Sequence, residues 1–237
     1  MRFARLIHLA CGVLLLAAPA LAAPKTTGSL TGTVRLDGKP PKREALPVFK
    51  HEEVCGKGVP DDRLVVAGAG GVRWAVVTVE GVPADAPRPK ADASVVLDNH
   101  QCRFSPHVLV AEVGQRLEIH NSDPILHNAD ARMDGATAFN FAVPPDRLVH
   151  TTLDRAGTLA VTCDVRHSWM SAFIVVAKHP FHTTTDAYGE YQIDDLPPGT
   201  YTLRVWHEVL GTQERPLTIE AGHVANVDVT FPAQPEQ

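Results

Sequence analysis

Several patterns that define other classes of protein are missing from this sequence. No segment shows a hydrophobic period near 3.6 residues, and there are no heptads, charge blocks, clear internal repeats or low-complexity tracts. Long amphipathic helices, coiled coils and disordered tails are therefore not expected. No basic run is present either, which disfavours nucleic acids and anionic membranes as partners.

Motifs of common enzymes and haem proteins are missing as well. The chain has no paired His-x-His motifs for a trinuclear copper cluster, no Cys-x-x-Cys-His for haem attachment and no visible Ser or Cys nucleophile constellation. An enzyme is therefore not expected. Aromatic residues make up only 6% of the chain, which disfavours a sugar-binding surface built from stacked rings.

Residues 1–22 have the composition of a secretory signal peptide. Two arginines precede an apolar run, residues 6–18, that is shorter than the roughly 20 residues needed to span a bilayer. Small residues then suit cleavage after Ala22. The sequence predicts a secreted, periplasmic protein with no membrane insertion after cleavage. Removal of the signal leaves 20 basic and 27 acidic residues, a formal charge of −7 with His neutral, which would suit a basic partner protein.

The rest of the sequence alternates short hydrophobic runs with turn residues. The chain contains 17 Gly and 19 Pro, which favours many short strands over long helices. The sequence predicts an all-β, sandwich-like fold. The predicted strands are Leu30–Leu36, Val72–Val79, Ser94–Leu97, Val108–Val113, Arg116–His120, Thr158–Thr162, Ala172–Val176, Glu190–Ile193, Thr200–Trp206 and Val224–Phe231.

Three cysteines remain after removal of the signal, and at most two of them can pair within one chain. An oxidising compartment favours disulfides. A disulfide between Cys55 and Cys102 would close a long loop, worth ~4 kcal/mol of stability in the chain-entropy model. That pairing would leave Cys163 free, and the residues around Cys163 suggest a use for its thiol.

Cys163 begins a short loop that has the composition of a copper-binding loop. Copper that cycles between two oxidation states is suited by thiolate and imidazole ligands in a trigonal plane, with a weak thioether on the axis. Cys163 follows a predicted strand, His167 and Met170 come next in the same loop, and another predicted strand follows directly. One hairpin would therefore present two sulfurs and a nitrogen to one point.

The fourth ligand must come from another part of the sandwich, and His127 suits this role because it follows the predicted strand Arg116–His120 and a turn. Asn128, the next residue, is suited to connect the two loops by hydrogen bonds. Asp164, the residue after Cys163, is predicted together with Asn128 to lie next to the ligands without binding the ion. The predicted ligands of a single copper ion are His127, Cys163, His167 and Met170.

Two stretches resemble the plastocyanin-type cupredoxins, namely FSPHVLVAEVGQRLEIHNSDPILHN (Phe104–Asn128) and LAVTCDVRHSWM (Leu159–Met170). The first matches their F-x-P … V-G … N … H-N pattern and the second their Cys-His-Met loop, in particular that of secreted methylamine-utilisation-type proteins. The resemblance covers residues 94–178. It implies a Greek-key β-sandwich, a type 1 (blue) copper site and one-electron transfer with a redox partner protein. It also implies that His167 lies near the surface as the electron port.

The loop departs from the family pattern in two places. Close relatives have two residues between Cys and His and then Pro-Trp-Met, whereas this chain has three residues there and Ser168 in place of Pro. Two other functions stay open: copper handling without electron transfer, and a structural or carbohydrate-binding-like sandwich with a degenerate site. Cys163 could also be a plain free thiol, His127 a structural histidine and Met170 a core residue. His107 is interpreted as a strand-edge histidine rather than a fifth ligand.

Thr183–Glu208 resembles the carboxypeptidase-regulatory-like, or transthyretin-like, sandwich through the patterns T-D-x-x-G-x-[FY] and L-x-P-G-x-Y-x-L-x-V. Such modules usually open with a G-T-V-x-x-x-G-x-P strand, which in this chain lies far upstream, at Gly32–Pro40. We therefore expect a second, Ig/transthyretin-like sandwich made of residues 28–85 and 180–235. The cupredoxin region, residues 94–178, would be inserted between its halves.

Overall fold

The computed structural model describes residues 26–86 and 94–233, so the predicted signal peptide lies outside the described residues. Within the described ranges the chain forms 19 strands and a single four-residue helix. The predicted all-β fold class is confirmed. No helix in these ranges is long and apolar enough to cross a membrane.

The N-terminal part of the described chain supplies two sandwich strands and a short segment between them. Its elements are β1 (Gly28–Leu36), β2 (Leu46–Pro47), α1 (Glu52–Cys55), β3 (Gly58–Val59) and β4 (Val76–Glu80). Buried and half-buried residues alternate along the whole of β1. This alternation is expected for a strand that packs one face against a core.

The middle of the chain folds into a two-sheet sandwich, hereafter the inner sandwich. Its strands are β5 (Ser94–His100), β6 (Arg103–Ser105), β7 (Val108–Glu112), β8 (Arg116–Asn121), β9 (His127–Met133), β10 (Ala136–Val143), β11 (Leu148–Thr152), β12 (Gly157–Thr162) and β13 (Ser171–Ala177). One sheet has the order β10-β9-β12-β13-β7 and the other β11-β8-β5-β6. The pairs β5–β8 and β7–β13 are parallel, so the chain crosses between sheets as in Greek-key sandwiches.

The C-terminal part completes a second sandwich, hereafter the outer sandwich. Its strands are β14 (His182–Thr184), β15 (Glu190–Leu196), β16 (Gly199–His207), β17 (Gly211–Ile219), β18 (Val224–Asn226) and β19 (Val229–Phe231). One sheet has the order β15-β1-β18, with β19 also paired to β1, and the other has the order β14-β4-β16-β17. Both sheets therefore combine strands that precede the inner sandwich in sequence with strands that follow it.

Close packing in the outer sandwich explains the glycine of the G-T-V strand. A Cβ placed on Gly32 would lie 2.0 Å from the carbonyl oxygen of Val227 and 2.7 Å from the hydroxyl of Tyr191. Tyr191 donates its hydroxyl hydrogen to the same Val227 carbonyl. Only glycine leaves room for this arrangement, so one residue of β1 fixes how the two halves of the sandwich meet.

A segment with little regular structure packs on the inner sandwich, and we call residues 46–59, with β2, α1 and β3, the covering segment. Val48, Cys55 and Val59 from this segment are buried in the same hydrophobic core as the inner sheets. Cys55 forms a disulfide with Cys102, with 5.4 Å between the two Cα atoms. The 47-residue separation makes this cross-link worth ~4 kcal/mol in the chain-entropy model.

The two sandwiches contact each other through one face of each. Trp206 of β16 packs edge-on against Phe173 of β13, with 5.3 Å between ring centroids. Arg103 of the inner sandwich forms an ion pair with Asp62, which follows the covering segment. An edge-on aromatic contact such as that of Trp206 with Phe173 adds about 0.5–1.5 kcal/mol beyond the burial of apolar area.

Candidate metal centre

The loop between β12 and β13 is a hairpin connection that carries Cys163, His167 and Met170. Strands β12 and β13 pair antiparallel up to Thr162 and Ser171, the residues that flank the loop. The additional residue of the loop is accommodated at Arg166, which has a left-handed backbone with φ 66° and is exposed. The insertion therefore forms a surface turn, and the Arg166 side chain points away from the ligands.

Three potential ligand atoms converge at this end of the inner sandwich. The sulfur of Cys163 lies 3.6 Å from Nδ1 of His167 and 3.9 Å from Nδ1 of His127, and the two Nδ1 atoms are 3.0 Å apart. His127 reaches the loop because it begins β9, the neighbour of β12 in the sheet. The structure thus brings together three of the four residues predicted to bind copper.

These three separations fit a single metal ion. A triangle with such sides has one point that is about 2 Å from every corner, and this is the usual length of a bond from a transition metal to nitrogen. All three angles of the triangle are acute, so that point lies inside it, in the plane of the donors. The donor set is therefore shaped for trigonal coordination, the geometry that suits copper with two imidazoles and a thiolate.

Burial favours the neutral forms of the three side chains. The side chains of His127 and His167 are completely buried, and Cys163 is 4% exposed. Burial lowers the pKa of His167 to about 4, with a further contribution from His127, and it lowers the pKa of His127 despite the nearby carboxylate of Asp123. Burial raises the pKa of the Cys163 thiol. Unprotonated nitrogens facing one another at 3.0 Å repel unless a proton or a cation lies between them.

Asp123 fixes the orientation of His127. Its carboxylate accepts a hydrogen bond from Nε2 of His127 at 3.0 Å and two more from the backbone N–H groups of Gln101 and Cys102 at 2.8 Å each. Because Nε2 carries the proton, Nδ1 is left with a free lone pair directed at the site. Asp123 was not predicted from the sequence, although its position four residues before a predicted ligand was a usable signal.

Asn128 connects the two loops as predicted from its position. Its backbone N–H points to the sulfur of Cys163 at 3.5 Å, and its side-chain oxygen accepts a hydrogen bond from the backbone N–H of Asp164. Its side-chain NH₂ donates to Asn140 at 2.8 Å, and Asn140 donates in turn to the Asp164 carboxylate at 3.3 Å. The backbone N–H groups of Asn128 and Val165 both lower the pKa of Cys163 and oppose the effect of burial.

Met170 lies at the end of the same loop and is 2% exposed. Its backbone N–H donates to the carbonyl of His167 at 2.9 Å, which closes a turn between the two residues. Its side chain belongs to the hydrophobic core of the inner sandwich, together with Cys163 and Trp169. The thioether sulfur of Met170 is not one of the three atoms of the triangle, which are the sulfur of Cys163 and Nδ1 of His127 and of His167.

Another cluster of donor atoms is excluded as a metal site by its chemistry. Cys102, Asp123 and His127 also lie within ligand distance of one another. The sulfur of Cys102 is already bonded to Cys55, and Asp123 is occupied by three hydrogen bonds. Cys102 thus has no thiolate to offer and most of the lone pairs of Asp123 are already used, so we interpret this cluster as support for His127 rather than as a second metal site.

The expectation that His167 lies near the surface is wrong for this chain. The covering segment lies over it, and the ring of His51 packs edge-on against the His167 ring with 5.5 Å between centroids. His51 itself is 32% exposed and has a left-handed backbone with φ 60°. Trp169 is also buried, and its indole N–H donates to the carbonyl of Cys102. His51 thus takes the surface position that the resemblance assigned to His167.

A family model for the carboxypeptidase regulatory-like domain matches residues 170–232. This range begins at Met170 and contains β13 of the inner sandwich as well as the outer-sandwich strands β14 to β19. It leaves out β1 and β4, which complete the same two sheets. The outer sandwich is therefore of the carboxypeptidase-regulatory-like type, with its first strands separated from the rest in sequence.

Solved cupredoxin structures are similar to part of the chain. A reduced tryptophan-to-tyrosine mutant of amicyanin is 20% identical, with a TM-score of 0.33 over 43% of this chain and 98% of its own. A methionine-to-alanine mutant of amicyanin in the Cu(I) form is 19% identical, with a TM-score of 0.32 and the same two coverages. The copper-containing nitrite reductase of Thermus scotoductus SA-01 is 21% identical, with a TM-score of 0.33 over 44% of this chain and 28% of its own.

A comparison with curated proteins gave no match. The strand order of the chain itself shows the two predicted sandwiches, and the family match supports the regulatory-like type of the outer one. The assignment of the metal site rests on the positions of its own atoms.

Proposed function

We propose that this chain is a periplasmic one-electron-transfer protein that holds one copper ion with His127, Cys163, His167 and Met170. The observation that carries the proposal is the triangle of one buried sulfur and two buried imidazole nitrogens, whose sides of 3.0, 3.6 and 3.9 Å leave room for one ion in its plane. When bound, copper supplies reversible exchange of one electron between Cu(II) and Cu(I).

The protein's own residues hold this donor set in place before any metal arrives. His127 is fixed by Asp123, and the Cys163 loop is tied to the His127 strand by Asn128. His127 stands on β9, and the other three residues lie in a short loop whose two ends are paired strands of the same sheet. A rigid set changes little between two oxidation states, which keeps the reorganisation accompanying electron transfer small.

Burial supports electron transfer over catalysis. With His127, His167 and Met170 each no more than 2% exposed, water and substrate have no open path to the ion. Electrons would instead cross the covering segment at His51, the ring that stands between His167 and solvent. A redox partner protein would therefore dock against the covering segment.

The test is a titration of the purified chain without residues 1–22 with Cu(II). We expect one equivalent to bind and to give an intense visible absorption from the sulfur-to-copper transition. Cys163→Ser should abolish that absorption. Met170→Leu should retain the colour with an altered spectrum, whereas Met133→Leu, another buried methionine of the same core, should leave the spectrum unchanged.

Other results of the titration would favour the alternative functions. A colourless Cu(II) complex together with tight Cu(I) binding would contradict electron transfer and favour copper handling. Failure to bind either ion would favour a structural sandwich with a degenerate site. The localisation is tested separately by expressing the full chain and assaying the periplasmic fraction for the form that begins after Ala22.

A further inference from the structure

A buried polar pair joins the two sandwiches beside the metal-binding loop. Nε2 of His107, which stands just before β7, makes a close contact with Oε1 of Glu208, which stands just after β16. The side chains are 4% and 10% exposed. The two residues are 101 positions apart in sequence and belong to different sandwiches.

The other ring nitrogen of His107 also faces an acceptor. Nδ1 lies 3.1 Å from the carbonyl oxygen of Ser171, which can only accept a hydrogen bond. Both nitrogens of one imidazole thus point at oxygen acceptors, and each contact needs a proton. The pair therefore holds two protons in all, either as an imidazolium with a carboxylate or as a neutral imidazole with a carboxylic acid.

The surroundings keep the pair dry. Trp74 and Phe173 place their rings 6.5 Å from the imidazole of His107. Glu208 also interacts electrostatically with the guanidinium of Arg63. A hydrogen bond between charged groups in such a site is worth more than a neutral one, and removal of one partner leaves the other unsatisfied.

The position of Ser171 gives this pair its significance. Ser171 is the first residue of β13 and directly follows Met170, so the carbonyl held by His107 is one residue beyond the predicted axial ligand. The backbone carbonyl of His107 accepts the N–H of Phe173 in addition. His107 thus fixes both Ser171 and Phe173, on the strand that leaves the loop.

We propose that His107 and Glu208 are positioning residues through which the outer sandwich holds the end of the metal-binding loop. The proposal rests on the proposed copper site, and it gives the regulatory-like sandwich a task at that site: Glu208 orients His107, and His107 anchors the backbone next to Met170. Without Glu208, the imidazole loses one of its two partners and the anchor loosens.

The test compares Glu208→Ala and Glu208→Gln with a matched control, Glu214→Ala, which removes an exposed glutamate from the neighbouring strand of the same sheet. In the metal-free protein, we expect amide hydrogen exchange at Met170 to become about tenfold faster in Glu208→Ala. Glu208→Gln should recover much of this protection, because its side-chain NH₂ can donate to Nε2 of His107 while Nδ1–H donates to the carbonyl of Ser171. The control should exchange like the wild type.

The copper-loaded protein provides the second readout. A weaker hold on Met170 should change the relative intensity of the visible bands and raise the reduction potential in Glu208→Ala, since loss of an axial donor favours Cu(I). Suppose that the wild type is coloured and that Glu208→Ala has the same Met170 exchange rate and the same spectrum as the wild type. This result would overturn the inference and leave the proposed copper site intact. A colourless wild type would instead overturn the proposed function. If Glu208→Ala fails to fold, Glu208→Asp takes its place, because its shorter side chain withdraws the carboxylate from Nε2 of His107. Faster exchange at Met170 then supports the inference, and an unchanged rate overturns it.

Discussion

The inner and outer sandwiches both bury histidines, but they treat them in opposite ways. In the outer sandwich, Nδ1 of His207 accepts hydrogen bonds from the backbone N–H groups of Val209 and Leu210 and so closes the turn after β16. In the inner sandwich, Nδ1 of His127 and Nδ1 of His167 have no backbone partner and face each other and a sulfur. Burial lowers the pKa of His207 to about 4, much as it does for His167.

This comparison shows which feature distinguishes a metal-binding histidine from a structural one. Burial and a lowered pKa occur in histidines of both sandwiches, so these properties do not distinguish the two kinds of histidine. The difference lies in where Nδ1 points: at backbone N–H groups for His207, and at one shared point for His127 and His167. Convergence of three potential ligand atoms on one point therefore identifies the candidate site.

Substituting one histidine in each sandwich should give the largest contrast. We expect His127→Gln to weaken copper binding by more than about 100-fold, since loss of a group that merely orients a ligand already costs about 10- to 100-fold. His207→Gln should leave copper affinity unchanged and lower only the free energy of unfolding. Competition with a chelator of known affinity measures the first quantity, and urea denaturation the second.

Equal losses of copper affinity in the two variants would show that burial rather than convergence governs binding. A spectrum of His127→Gln identical to that of the wild type would exclude His127 as a ligand.

A smaller effect is expected at Asp123, which orients His127 without touching the ion. Asp123→Asn can still accept one hydrogen bond, but its amide can also present a donor to Nε2 and so favour the wrong tautomer. We expect copper affinity to fall by about 10- to 100-fold while the position of the absorption band is kept. A control is Asp186→Asn, which changes a carboxylate that caps a turn in the outer sandwich.

The buried histidines of the outer sandwich predict how the metal-free protein responds to acid. The pKa of His182 and the pKa of His207 are each lowered from 6.5 to about 4, chiefly by burial. Between these two pKa values the unfolded chain binds more protons than the folded chain. The free energy of unfolding is therefore highest above pH 6.5 and falls as the pH drops towards 4. His207→Gln should make this slope shallower by up to about 1.4 kcal/mol per pH unit.

Urea denaturation at several pH values across this window measures the slope for both proteins. A wild type whose unfolding free energy is constant across the window would contradict the assignment of these histidines as neutral in the folded state.

The smallest effect is expected at Arg166, the added residue of the loop. Its left-handed backbone costs roughly 1 kcal/mol in any residue with a Cβ, and its side chain is exposed. Arg166→Gly should therefore raise the free energy of unfolding by up to about 1 kcal/mol and leave the visible spectrum unchanged. A spectral change would show that the added residue shapes the coordination itself.

The sequence allowed much of the fold to be predicted, because ten hydrophobic runs lie in or overlap observed strands. The predicted runs missed strands β2, β3, β6, β9, β10, β11, β14 and β17. In β9 the alternation uses small residues: Ala129 and Ala131 fill the core where larger residues would reveal the pattern. The predicted strand Val72–Val79 begins only at Val76, because Trp74 has a left-handed backbone.

At the site, the four candidate ligands could be proposed from sequence because three of them occupy one short loop. The covering segment and the contact between His107 and Glu208 could not, because they join residues far apart along the chain with no local pattern. The predicted Cys55–Cys102 pairing was the one available hint, since it brings the covering segment to the metal-binding end.

X-ray absorption at the copper edge of the loaded protein tests the central claim most directly. Trigonal coordination by Cys163, His127 and His167 predicts one sulfur and two nitrogens, each about 2 Å from the ion. A coordination shell containing only nitrogen and oxygen, with the sulfur of Cys163 outside bonding distance, would contradict it.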